Sequence, residues 1–129
     1  MSTIYDNLET LRTRLSTITG VQSCAIGLEP NIAPEDYPII RLVPSLIRKT
    51  ATFTRAVETL IYFGKPVHES DEGLPAVYDE LLDMEQAIVD ALDGNGFAVI
   101  YLDTITDEDR VEHYKLMAVH VEIHVTNSC

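Results

Sequence analysis

The sequence predicts an α+β fold: a mainly antiparallel sheet of about five strands, two helices packed on one of its faces, the order α-β-β-β-α-β-β, and an extended β-hairpin arm. Three observations point there. Two segments repeat their apolar residues at helical spacing, several other runs are rich in β-branched and aromatic residues, and the second helical segment splits those runs into two groups. With 129 residues and 46% hydrophobic content the chain holds one core and is too short for two ordinary domains, so residues 1–129 are read as a single domain.

The opening STIYDNLETLRTRLSTITG offers Ser2 or Thr3 as a helix cap and sets Ile4, Leu8, Leu11, Leu15 and Ile18 on one stripe, which Gly20 ends. Each of those side chains contributes roughly 1.5–3 kcal/mol if fully buried, enough for the stripe to hold the helix on a sheet. VQSCAIGL reads as a strand with Cys24, Ile26 and Leu28 on one face, and the prolines of EPNIAPEDYP require a loop. IIRLV, residues 39–43, is the second strand. Pro44 with Ser45 marks its end or a bulge, because proline cannot donate to a ladder. TATFTRAVETLIYFG, residues 50–64, is the longest β-prone run, and SLIRKT before it is read as a hairpin arm carrying basic residues.

KPVHESDEG is a polar loop that ends near Gly73. LPAVYDELLDMEQAIVDALDG then places Leu74, Val77, Tyr78, Leu81, Leu82, Ile88, Val89 and Leu92 at helical spacing, with Asp79, Glu80, Asp83 and Asp90 on the other side. Gly94 or Asn95 closes this second helix. FAVIYLDT, residues 97–104, and VEHYKLMAVHVEIHV, residues 111–125, are the last two strands and pair most simply as an antiparallel hairpin.

A formal net charge of −12 argues against general affinity for nucleic acid, which relies on a surplus of Lys and Arg. The charge is also polarised. Residues 66–109 hold thirteen Asp and Glu and no Lys or Arg, whereas Arg41, Arg48, Lys49, Arg55 and Lys65 lie together against the single acid Glu58. Such asymmetry suits a molecule that meets copies of itself head to tail; two solvated faces are the plainer alternative. The longest apolar run, residues 97–102, is far below the roughly 20 residues of a membrane span, and no signal-peptide layout opens the chain, so a cytosolic protein without membrane contact is expected. Cys24, inside an apolar strand pattern, and Cys129 fit a chain without a structural disulfide.

The motif VHVEIHV poses the main chemical question. Period two sends Met117, Val119, Val121, Ile123 and Val125 to one face, which belongs under the helices, and Tyr114, Leu116, Ala118, His120, Glu122 and His124 to the other. His120, Glu122 and His124 then stand in line, neighbours about 6.5–7 Å apart. Adjacent members could share a metal ion, but all three would strain it, and His68 and His113 are not placed to complete a ligand set. The expected reading is an exposed sheet face or a subunit contact, with no metal and no cofactor. The turn DTITDEDR offers Asp103, Asp107, Glu108 and Asp109 as oxygen ligands yet lacks the glycine and closing Glu of an EF-hand loop. No P-loop, dinucleotide fingerprint, G-x-S-x-G or H-E-x-x-H occurs, and no nucleophile or acid/base pair stands out, so no enzymatic activity is expected.

The capped helix YDNLETLRTRL, the proline-rich loop, YPIIRLVPS, the strand FTRAVETLIYFG, the helix GLPAVYDELLDMEQAIVDAL and the closing hairpin together resemble the tail terminator group, minor tail protein U-like, among the tail-completion proteins of tailed bacteriophages and prophages. The resemblance spans about residues 4–125 and transfers no single functional residue. It implies a structural protein of the virion tail, assembled in the bacterial host cytoplasm, whose copies form a ring, typically a hexamer, that stops the tail tube and presents a surface to the head connector. Its partners would be itself, the tail-tube protein and the connector, with DNA passing through an acidic channel without specific binding. Other neck or head–tail connector proteins have similar size and α+β content and remain the alternative, with a small metal-binding enzyme built on His120, Glu122 and His124 as the reading from another class. For a ring, the expected contact runs from Arg48, Lys49 and Arg55 on the arm to Asp79, Glu80 and Asp83 on the second helix of the next copy.

Overall fold

A computed structural model describes residues 3–28, 32–66, 74–106 and 114–126. Ser2, His68, Gly73, Asp107, Glu108, Asp109, His113 and Cys129, named above, lie outside these residues. The described elements are α1 (Thr3–Leu15), β1 (Ser23–Ile26), a short 3-10 turn (Pro34–Asp36), β2 (Ile39–Ala51), β3 (Thr54–Pro66), α2 (Leu74–Asp90), β4 (Val99–Ile105) and β5 (Tyr114–Thr126). This is the expected α-β-β-β-α-β-β order. The five strands form one sheet in the order β1-β2-β3-β5-β4, antiparallel throughout except for the parallel pair β1–β2.

One apolar layer joins both helices to one face of the sheet. Ile4, Leu8, Leu11 and Leu15 of α1 and Val77, Leu81 and Ile88 of α2, with Leu92 just beyond it, pack with Ile40, Leu42, Val57, Ile61, Phe63, Met117, Val119, Val121, Ile123 and Val125 in a single buried cluster. That row of β5 is the valine face read from the sequence. Lys115 lies in the same row and is buried, its Nζ 5.2 Å from the centre of the Tyr78 ring on α2, so a cation closes this end of the layer against an aromatic face. At the far ends of the helices Asn95 Nδ2 donates to the Ala91 and Leu92 carbonyls at 3.0 and 2.9 Å, and Gly94 takes the left-handed conformation, φ 81°, that finishes the turn.

Several boundaries differ from the sequence reading. The run TATF contains no turn signal, yet the chain reverses inside it: β2 continues through Pro44 to Ala51, and β3 begins at Thr54. Pro44 is therefore beside a bulge and not at a strand end, the register shifting between Pro44 and Leu46. Leu42 O accepts from Gly27 N at 2.8 Å, so this side of β2 faces β1; two residues on, the missing N–H of Pro44 falls on that same side, beyond the last β1 pair at Leu42. A second irregularity lies in β4 between Tyr101 and Asp103. Leu28 does not continue the β1 face: Gly27 turns the chain at φ 93° and leaves Leu28 exposed. Leu82, placed on the apolar stripe of α2 by spacing, is also exposed.

The opposite face of the sheet is not uniformly wet. Ile39, Gly64 and Leu116 share one row there, and the loop after β1 folds over them, Tyr37 and Ile32 packing on Ile39 and Leu116. Arg41, in the next row, is 2% exposed and donates to Ser23 O, Ser23 Oγ and Ile40 O at 3.1, 3.0 and 2.9 Å. Toward the arm the cover ends, and the rest of this face is open.

Candidate functional site

Across the open face, residues paired between strands share a side. Leu46, Glu58, Glu122 and Ile100 form one row, Val43, Leu60, His120 and Asp103 the row toward the cover, and Arg48, Ala56 and His124 the row toward the arm. Glu58 and Glu122 thus stand directly opposite each other, an arrangement that repels unless hydrogen-bonding partners intervene. They do. Arg48 Nη2 donates to Glu122 Oε2, and His124 Nε2 lies 2.8 Å from Glu122 Oε1. His120 Nε2 lies 3.1 Å from Glu58 Oε1, while its Nδ1 is 3.5 Å from Asp103 Oδ1. The hydrogen bond from Arg48, with help from His124, holds the Glu122 carboxyl below the usual carboxylate range.

The H-x-E-x-H row is therefore occupied by its own sheet. His124 and Arg48 take the two oxygens of Glu122, and the two nitrogens of His120 face different carboxylates on opposite sides of the ring. A metal ion needs its ligands to converge, and among the described residues no group of three or more His, Cys, Asp or Glu does so. What the row does is link side chains of β2, β3, β5 and β4, four of the five strands, through polar contacts on one face.

The six expected interface residues are separated into different environments. Arg48 is engaged with Glu122, and Glu80 on α2 is engaged with Lys65. Asp79 and Asp83 are exposed on α2. Lys49 and Arg55 face each other across the hairpin, on the helix side of the sheet, and neither has an ion pair among the described residues. Arg55 Nε is buried without a hydrogen-bond partner. Of the five cations in this part of the chain, Arg41, Arg48 and Lys65 are thus engaged internally, which shrinks the basic surface to Lys49 and Arg55. A cleft of about 280 Å³ lies between the turn at Ile18 to Gly20, Pro38 and α2; its charged groups include the Lys65–Glu80 pair.

The strand read at residues 97–104 is β4, Val99–Ile105, but its exposure at the sheet edge was not foreseen. FAVIYL reads as a buried run, yet Ile100, Tyr101, Leu102 and Ile105 are all more than 40% exposed. β4 ends the described sheet, and its helix side is tied down by Glu85 of α2, whose Oε2 accepts from Thr104 Oγ1 at 2.7 Å and from Tyr101 OH at 3.5 Å.

Fold and site together define a sheet protein that turns one half-open, charged face and one apolar edge to its surroundings. No known protein family matches the chain, and no curated protein does. Among the described residues no helix is long and apolar enough to cross a membrane.

Proposed function

We propose that this chain is a structural component of a phage or prophage tail, a tail terminator whose copies form a ring at the end of the tail tube and join it to the head connector. The observation that carries the reading is the arm. Lys49 and Arg55 oppose each other on the hairpin, with no ion pair to an acid among the described residues, in a chain whose net charge is −12. Like charges placed opposite cost stability within one copy, and an acidic surface on another copy removes that cost. Repeated head to tail, such a contact closes into a ring when the rotation between copies divides the circle. The acidic remainder lines a passage through which DNA slides without adhering. The sequence resemblance over residues 4–125 supports the same reading.

The test is deletion of the gene from its phage or prophage and electron microscopy of the particles. Tails of unregulated length without heads, corrected by supplying the protein, are expected. Normal tails joined to heads would end this reading, and tails of normal length lacking only heads would move the protein to the connector side of the neck.

A further inference from the structure

Among the described residues the sheet has two unpaired edges whose chemistry is complementary. One is β4, seven residues long, with no strand beyond it in the described sheet. The other is the outer half of β2: β1 pairs with residues 39–42, and among the described residues, 43–51 have a strand neighbour on one side alone. Each edge exposes large apolar side chains, Leu46 and Ile47 on β2 and Ile100, Tyr101, Leu102 and Ile105 on β4. Apolar edges of this kind pair with another chain unless something blocks them. The charges sort by face. On the open face β2 carries Arg48 and β4 carries Asp103; on the helix side β2 carries Lys49, opposite Arg55, while Glu85 of α2 reaches Thr104 of β4.

We infer that the free edge of β4 receives the outer half of β2 from a second copy of this chain, so that the sheet of one copy continues into the next. This deepens the assembly reading above by naming the surface the arm meets. Strand direction allows it: β2 and β5 both run antiparallel to β3, and β4 runs antiparallel to β5, so a copy added in the same sense sets β2 against β4 antiparallel. The faces also fix a register. With Arg48 opposite Asp103 on the open face, Leu46 falls opposite Ile105 on the same face, and Ile47 opposite Thr104 on the helix side. The alternative acceptor, the acidic side of α2, is helical and offers no unpaired backbone edge, whereas Arg48 and Asp103, held within one copy by Glu122 and His120, would share those partners across the seam.

Cysteine pairing tests this directly, because residues opposite one another in an antiparallel pair have Cα atoms about 4.5–5.5 Å apart, within disulfide reach. In the full chain carrying Cys24→Ser and Cys129→Ser, Leu46→Cys and Ile105→Cys are made as two separate proteins, both positions being exposed. On oxidation with diamide, the mixture is expected to give a covalent dimer that neither protein gives alone, and raised salt should reduce it. A dimer from either protein by itself means a like-to-like contact and overturns the inference. So does the absence of a mixed dimer, and so does preferential pairing of Lys49→Cys with Asp83→Cys, which would place the arm on α2. The chain carrying both Leu46→Cys and Ile105→Cys answers the separate question of the ring: a ladder that stops at one closed size fits it, whereas a ladder without end leaves the edge contact standing and removes the ring.

Discussion

Glu58 and Glu122 face each other across β3 and β5, and different side chains hold them: His120 on the first, Arg48 and His124 on the second. Two carboxylates in register are tolerable only because the neighbouring strands each supply a donor.

Arg48→Ala should therefore raise the Glu122 carboxyl toward its ordinary value, since the Arg48 hydrogen bond is the largest cause of its depression. A carboxyl depressed in the folded chain adds stability that is present at neutral pH and lost as the pH falls through the folded-state value. The parent should accordingly lose more stability than Arg48→Ala between neutral and acid pH. Carboxyl carbon shifts of Glu122 followed by NMR, alongside urea unfolding at several pH values, measure both effects.

Neighbours on β5 should behave oppositely. Val121 is fully buried among the helix-facing residues, and Val121→Ala should cost roughly 1–3 kcal/mol; Leu11→Ala, also fully buried, should cost roughly 2–5 kcal/mol. His120→Ala removes a partly exposed pair and should change stability by no more than about 1 kcal/mol. Equal losses at His120 and Val121 in denaturant titrations would reverse the assignment of the two faces.

Gly64 tolerates no side chain. An added Cβ would meet Leu116 Cδ2 at 2.3 Å and the Lys115 carbonyl oxygen at 2.5 Å, and the second of these is backbone. Gly64→Ala should then destabilise by roughly 1–3 kcal/mol, although alanine is normally the better residue inside a strand. A thermal unfolding midpoint at or above that of the parent would show that β3 and β5 are not so close.

Burial pushes the Cys24 thiol up to about 11, and its Sγ–H donates to Arg12 O at 3.5 Å. With so little thiolate at pH 8, alkylation of Cys24 by iodoacetamide should be at least tenfold slower in the folded protein than in urea. Mass spectrometry after timed quenching reads the two rates.

The helices and the valine row were legible in the sequence because periodicity reports burial when one face is dry and the other wet. Ile4, Leu8, Leu11 and Leu15 met that condition, as did Val119, Val121 and Ile123. The hairpin tip was not legible, since Thr52 and Phe53 carry no turn preference and only the pairing of residues 46–51 with 54–58 locates the reversal. Nor could spacing foresee that Arg41 would be buried near the loop of Tyr37, donating to Ser23 of β1 and to the Ile40 carbonyl of its own strand, or that Lys65 would be taken by Glu80. The His-Glu-His row was assigned to the correct face, but its partners Glu58, Asp103 and Arg48 come from three other strands, and strand order is not a local property of the chain.

The two irregularities in the sheet act as changes of phase. In β2, Ile40, Leu42 and Pro44 share the helix side; simple alternation would carry that parity on to Leu46 and Arg48, but the extra residue at Ser45 resets it and turns Arg48 outward to Glu122. In β4, Val99 and Tyr101 share the helix side, and the extra residue at Leu102 turns Asp103 outward to His120 in the same manner. Each strand thus spells its charged residue out of step with its apolar ones, and a single supernumerary position restores the sense. One consequence is that loss of one residue just C-terminal to either bulge would transpose every later side chain of that strand to the other face while leaving composition and length almost unchanged. Arg48 and Asp103 hold their common face by counting, not by chemistry.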